Sequence, residues 1–176
     1  MKESELMDLM KSRHSCRAYL DKPVEEEKIG KIIEAGVLSP TGMNRQKTIF
    51  LAIKDKKTIQ ELSRINASFT GDPNGDPFYG AKAVIVVLAS KETTTRVYDG
   101  SIALGYMMLE ASALGLGCCW IHRAKESFST EEGKAILAKA GIKGDYEGIG
   151  NLILGYEDPA LSSKHPKSSQ GRIYTL

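Results

Sequence analysis

Long apolar runs are missing from this chain. The longest, AVIVVLA at 83–89, falls well short of the ~20 residues that a membrane-spanning helix needs, so no membrane protein of the helical kind is expected. An excess of one charge is missing too. The 24 basic and 22 acidic residues leave a formal charge of +2, which offers no broad cationic field for nucleic acid, so any anion site must be local. Cysteine is scarce, with Cys16 and the adjacent pair Cys118 and Cys119. An odd count, with two neighbours that point to opposite faces of a strand, argues against a disulfide framework and for reduced thiols. The opening MKESELMDLMKSR is too charged for a secretory signal, and a cytoplasmic protein is expected.

Two nucleotide signatures are absent as well. No glycine-rich loop ends in Gly-Lys-Ser or Gly-Lys-Thr, and GLGCCW and GIGNLILG lack the third glycine and run into strands where a dinucleotide fingerprint must open a helix. Cys119 and His122 have Cys-x-x-His spacing, but two further ligands for a metal are wanting, so no metal site is expected.

What is present suits one domain over residues 1–176. A chain of that length with 41% hydrophobic residues can bury roughly 70% of the surface it exposes unfolded. SELMDLMKSR forms a short helix behind Ser4 as N-cap. In EEEKIGKIIEAGVLSP a stripe of Ile29, Ile32, Ile33, Gly36 and Val37 predicts a second helix, ended by Pro40. TIFLAIK is a strand. Thr58 with Glu61 is a capping-box signature for a helix over 58–67, and AVIVVLA is a buried strand. From Val97 to Leu114 the pattern is apolar nearly all round, which predicts burial in a large core or against another subunit. CCWI, a helix from Ser129 with Glu132, and GIGNLILGY complete an α+β order of elements, and the residues after Pro159 read as an extended polar tail.

Polar clusters remain, in RHSCR at 13–17, TGMNRQ at 41–46, HR at 122–123 and a tail with Lys164, Lys167 and Arg172. Taken singly, each is what a solvated surface looks like. Taken in order, RHSCRAY before KPV and a helix, SPTGMNRQ leading into a strand, LGLGCCWI, and LILGY with a late arginine, the chain resembles the FMN-dependent nitroreductase family from about residue 10 onward.

That resemblance implies a nitroreductase-like α+β fold, a central, mostly antiparallel sheet flanked by helices in an intertwined homodimer. It implies FMN as cofactor, NADH or NADPH as electron donor, and a nitroaromatic, quinone or similar small-molecule acceptor. Arg13, His14, Ser15 and Arg17 would wrap the flavin, whose phosphate suits guanidinium and hydroxyl donors, with Arg17 near flavin N1 and O2. Pro40, Thr41, Gly42, Met43, Asn44 and Gln46 would reach the flavin of the other subunit. Trp120, Ile121, His122 and Arg123 would run past the ring, and Lys167 and Arg172 would reinforce the phosphate contact. Lys47 and Thr48 depart from the family's usual Pro-Trp pair, which leaves a non-catalytic flavin-binding or flavin-storage module as the alternative. No side chain is assigned as an obligatory catalyst, because the cofactor carries the chemistry.

Overall fold

A computed structural model of the chain describes residues 3–161 and 171–175. Helices α1 (Glu3–Ser12) and α2 (Glu26–Val37) come first, then strand β1 (Thr48–Ile53), α3 (Lys56–Ala67), β2 (Ala83–Ser90) and α4 (Arg96–Ala113). Strand β3 (Gly117–Ile121), the short α5 (Ala124–Ser127), α6 (Glu131–Lys139) and β4 (Tyr146–Gly155) follow. The strands form one sheet in the order β1-β2-β4-β3, antiparallel at every pairing.

Helices cover both faces of that sheet. On one, Ile29 and Ile32 of α2 and Leu104 and Met107 of α4 pack on Ile85, Val87, Leu152 and Leu154. On the other, Ile59 and Leu62 of α3, Ala124 of α5 and Ile136 of α6 pack on Val84, Val86, Leu88 and Ile153. Strand β2 is therefore buried at every position, which is why its sequence is a continuous apolar run although its partners are antiparallel. The same alternation sends Cys118 to the first face and Cys119 to the second.

Several local expectations need correction. Helix α1 starts at Glu3, so Ser4 lies inside it. Asp55, not Thr58, caps α3. Its carboxylate accepts from Thr58 N at 2.9 Å, and an ionised acceptor at a helix N-terminus outcompetes a hydroxyl. Thr130, not Ser129, caps α6, accepting from Gly133 N at 3.0 Å. Helix α2 ends at Val37 with Leu38 as cap, before Pro40, and Val37 points outward at 64% exposure because its position rotates off the buried Ile29, Ile32 and Gly36 stripe.

Helix α4 is buried on one side only. Gly100, Leu104, Met107 and Ala111 face the core, while Tyr98 (75% exposed), Ile102 and Tyr106 form an outward stripe at four-residue spacing.

Candidate functional site

The segment after α1 is held against the free edge of β3. Cys16 N donates to Cys118 O at 2.9 Å, and Ser15 forms a parallel bridge with Cys118. Tyr19 bridges Glu157 just past β4, Leu20 N donates to Tyr156 O at 2.8 Å and Asp158 N to Ala18 O at 3.0 Å. Tyr19 Oη donates to Cys16 O at 2.8 Å. The segment thus completes the sheet edge and fixes RHSCR in space. A side chain on Gly117 would break this seating, since a Cβ there would lie 2.6 Å from Cys16 Sγ.

Beside it lies a recess of about 210 Å³, lined among others by Arg13, His14, Ser112, Gly115, Gly117 and Glu157. His14 Nε2 and Glu157 Oε1 are 2.9 Å apart, and Arg13 Nη1 is buried, so the recess holds a guanidinium, an imidazole and a carboxylate together. The thiols nearby are inert. Burial pushes Cys118 up to about 12, with the Arg13 charge pulling the other way, and burial also raises Cys16. A guanidinium in a recess walled by glycines, where backbone can approach closely, fits a phosphate monoester. The volume admits a phosphate but no flavin ring. Of the four residues expected in this stretch, Arg13 and His14 line the recess; Ser15 is half-buried beside it and Arg17 is exposed.

The second cluster stands apart. A single 3-10 turn spans Gly42–Asn44, and Met43, Asn44 and Gln46 all adopt left-handed backbone, at φ of 55°, 54° and 53°. One long-range anchor holds it. Gly42 N donates to Asp99 Oδ1 at 2.9 Å, Thr95 Oγ1 donates to Asp99 Oδ2 at 2.8 Å, and a Cβ on Gly42 would meet Thr95 Oγ1 at 2.6 Å. Thr41 Oγ1 accepts from Gln46 N, and Asn44 Oδ1 from Gln46 Nε2, both at 3.0 Å. Pro40, Met43, Asn44 and Gln46 are exposed, and no residue of this loop lines the recess.

At the far end of β3, Trp120 and Ile121 are half-buried and His122 and Arg123 exposed. His122 O accepts from Asn66 Nδ2 at 2.7 Å. Arg123, at φ 72°, starts α5 and pairs with Glu126 at 2.8 Å, so its charge is already committed locally. Arg172 is exposed, and Lys167 lies outside the described residues. Three positioning residues went unnoticed in the sequence. Asp99 had a visible signal, as an acid inside an apolar helix; Glu157 and Asn66 had none.

The resident fold is thus a four-stranded antiparallel sheet with helices on both faces and an anion-suited recess at one edge. Residues 10–156 match the family model described as the nitroreductase family. A protein of Archaeoglobus fulgidus, provisionally named NADH dehydrogenase/NAD(P)H nitroreductase, is 30% identical over 157 residues, which is 86% of this chain and 85% of that one. Among solved structures, a nitroreductase with bound FMN from Bacteroides fragilis superposes over all of both chains at TM-score 0.90 and 24% identity. An FMN-dependent nitroreductase from Clostridium difficile matches 96% of this chain and 98% of its own at TM-score 0.78 and 28% identity. This chain belongs to the nitroreductase family.

Proposed function

We propose that the chain is an FMN-dependent oxidoreductase of a single domain that works as a homodimer. It takes reducing equivalents from NADH or NADPH and passes them to a small-molecule acceptor, a nitroaromatic or quinone, in ping-pong order. The observation that carries this reading is the recess at the β3 edge, whose lining brings Arg13 and His14 together with the glycines Gly115 and Gly117.

FMN, when bound, would supply the two-electron redox chemistry between nicotinamide and acceptor. The chain's residues bind and orient. Arg13 and Ser15 would hold the phosphate, with Arg172 and Lys167 of the tail as further donors, and His14, 2.9 Å from Glu157, would orient that carboxylate. Arg17, exposed and one residue beyond the buried Cys16, supplies a cation for the pyrimidine side of the ring. Trp120, Ile121, His122 and Arg123 would contribute the strand end to the flavin site, with the turn fixed by the Arg123–Glu126 pair. The Pro40–Gln46 loop, which does not line its own recess, would complete the site of the other subunit, and the outward Tyr98, Ile102 and Tyr106 stripe would supply apolar interface. No side chain acts as acid, base or nucleophile.

The test begins with protein purified without added flavin. A yellow dimer that releases FMN, not FAD, and oxidises NADH or NADPH with a nitroaromatic acceptor supports the proposal. A colourless protein that takes up no FMN overturns it, and a yellow protein without turnover leaves only the storage role.

A further inference from the structure

A second cavity lies away from every residue assigned to the flavin. It is larger, about 860 Å³, and its walls are α3 and the 73–82 connection into β2. That volume falls within the ~300–1,000 Å³ of ordinary small-molecule sites.

Its floor is apolar, with Ile59, Phe78 and Ala81, all buried. Its rim is cationic, with Lys54, Lys56, Arg64 and Lys82 against two acids, Asp21 and Asp76. Both acids are engaged. Asp21 pairs with the rim's own Lys82 at 2.7 Å, and its carboxyl is held below the usual range by Lys82 and, to a lesser degree, by Lys56. Asp76 is spent on the wall itself, where Oδ1 accepts from Ser63 Oγ at 2.6 Å and Phe78 N at 3.0 Å, and Oδ2 accepts from Gly80 N at 2.7 Å. Lys54 pairs with Glu26. Among the described residues, Lys56 and Arg64 have no carboxylate within ion-pair distance.

The helix presents these groups by its period. Lys56, Gln60, Ser63 and Arg64 stand at i, i+4, i+7 and i+8, one face of α3. The opposite wall is backbone under strain. Tyr79 adopts φ 53° and Gly80 φ 67°, left-handed backbone that is unfavourable for the non-glycine Tyr79, and the Asp76 carboxylate pins it by accepting from Gly80 N. Such strain collects where a loop must hold a particular shape.

We infer that this cavity binds an aromatic phosphate monoester, its ring over the apolar floor and its phosphate on Lys56 and Arg64, the two rim cations that no ion pair holds among the described residues. An apolar floor alone would accept a neutral arene, and surface lysines alone would accept any polyanion; the combination asks for both parts in one molecule. The inference is independent of the flavin proposal.

The probe is 1-naphthyl phosphate, titrated calorimetrically into the protein as purified, with inorganic phosphate and 1-naphthol as its separated halves. One saturable site per chain is expected, with each half binding at least about tenfold more weakly. Two variants localise it. Lys56→Glu with Arg64→Glu reverses the rim, and Gln60→Trp fills the cavity without touching charge; Gln60 is exposed, so the fold tolerates the change. Each should weaken the probe about tenfold or more while leaving flavin content and nicotinamide oxidation unchanged. No saturable binding up to about 1 mM, or binding that neither variant alters, overturns the inference, the latter because the probe is then held elsewhere.

Discussion

Two of the stretches assigned to the flavin, 13–17 and 40–46, are built in opposite ways. The first, with residues 18–20 that follow it, is pinned to β3 and the end of β4 by backbone bonds and by a buried cysteine, so its shape is a by-product of the sheet. The second is exposed, carries three left-handed non-glycine residues, and has the Asp99 anchor as its long-range hold. The contrast shows where each half gets its precision. On the proposed reading the phosphate end takes its shape within one chain, whereas the loop would meet the flavin of the other subunit.

The largest effect should come from removing the charge in the pinned half. Arg13→Ala is expected to weaken FMN binding by ~1.5–3 kcal/mol, the scale of one hydrogen bond to a charged group, or roughly 10- to 150-fold in dissociation constant. Flavin fluorescence titration of the apoprotein measures it. An unchanged affinity would remove the recess from the site and erase the comparison.

Next comes the seating of the pinned half. Gly117→Ala places a methyl 2.6 Å from Cys16 Sγ and 2.9 Å from its Cβ, in a spot where Cys16 has no room to retreat. Overpacking of this kind costs ~1–3 kcal/mol, to be read from urea unfolding, and FMN retention should fall with it. The seating also has a pH signature. Cys118 is raised to about 12 and Cys16 is raised, so the folded state keeps its thiol protons longer than the unfolded chain. Stability from this source is whole below pH 9 and is lost as pH rises toward 12. Cys118→Ala should flatten that alkaline slope, and a slope that persists unchanged would assign it to other groups.

How far the sequence revealed each half follows from the same contrast. Strands, helices and both sheet faces were legible because burial imposes periods of 2.0 and 3.6 on the residues themselves; AVIVVLA needs only to be apolar. RHSCR was legible as a motif, yet its pairing with Cys118 was not, because a short edge bridge between residues some hundred positions apart leaves no periodic trace. Helix α4 was legible as apolar but not as one-sided, since aromatic residues serve a core or an interface equally well. The misplaced caps at Thr58 and Ser129 have a common cause: Asp55 and Thr130 satisfy the same chemistry within a few residues, and local pattern does not rank them.

In the exposed half the anchor can be weakened without being abolished. Asp99→Asn keeps an acceptor for Gly42 N but gives up its charge, for an expected cost of ~0.5–1.5 kcal/mol. The homodimer reading puts that cost into FMN affinity as well as thermal stability, since a looser loop meets the other subunit's flavin less well. A lower melting temperature with unchanged FMN affinity would make the loop a mere surface turn. Sedimentation of the same variant checks that the dimer survives.

The smallest effect is also the one that separates strain from function. Gln46 is exposed and holds φ at 53°, a conformation that glycine adopts freely and that costs a residue with a Cβ about 1–2 kcal/mol. Gln46→Gly forfeits the 3.0 Å bond from Gln46 Nε2 to Asn44 Oδ1, but in water that bond contributes little. Relief of strain and the larger entropy of glycine in the unfolded chain then nearly offset, for a net gain of about 0.5–1 kcal/mol at most. If the loop is strained in order to meet a flavin across the interface, the variant should be as stable as the parent or slightly more so, while its FMN affinity drops. A destabilised variant would instead mean that the Gln46 side chain, through Asn44, holds the loop's shape from within. The conformation would then be a local device, with no debt to the other subunit.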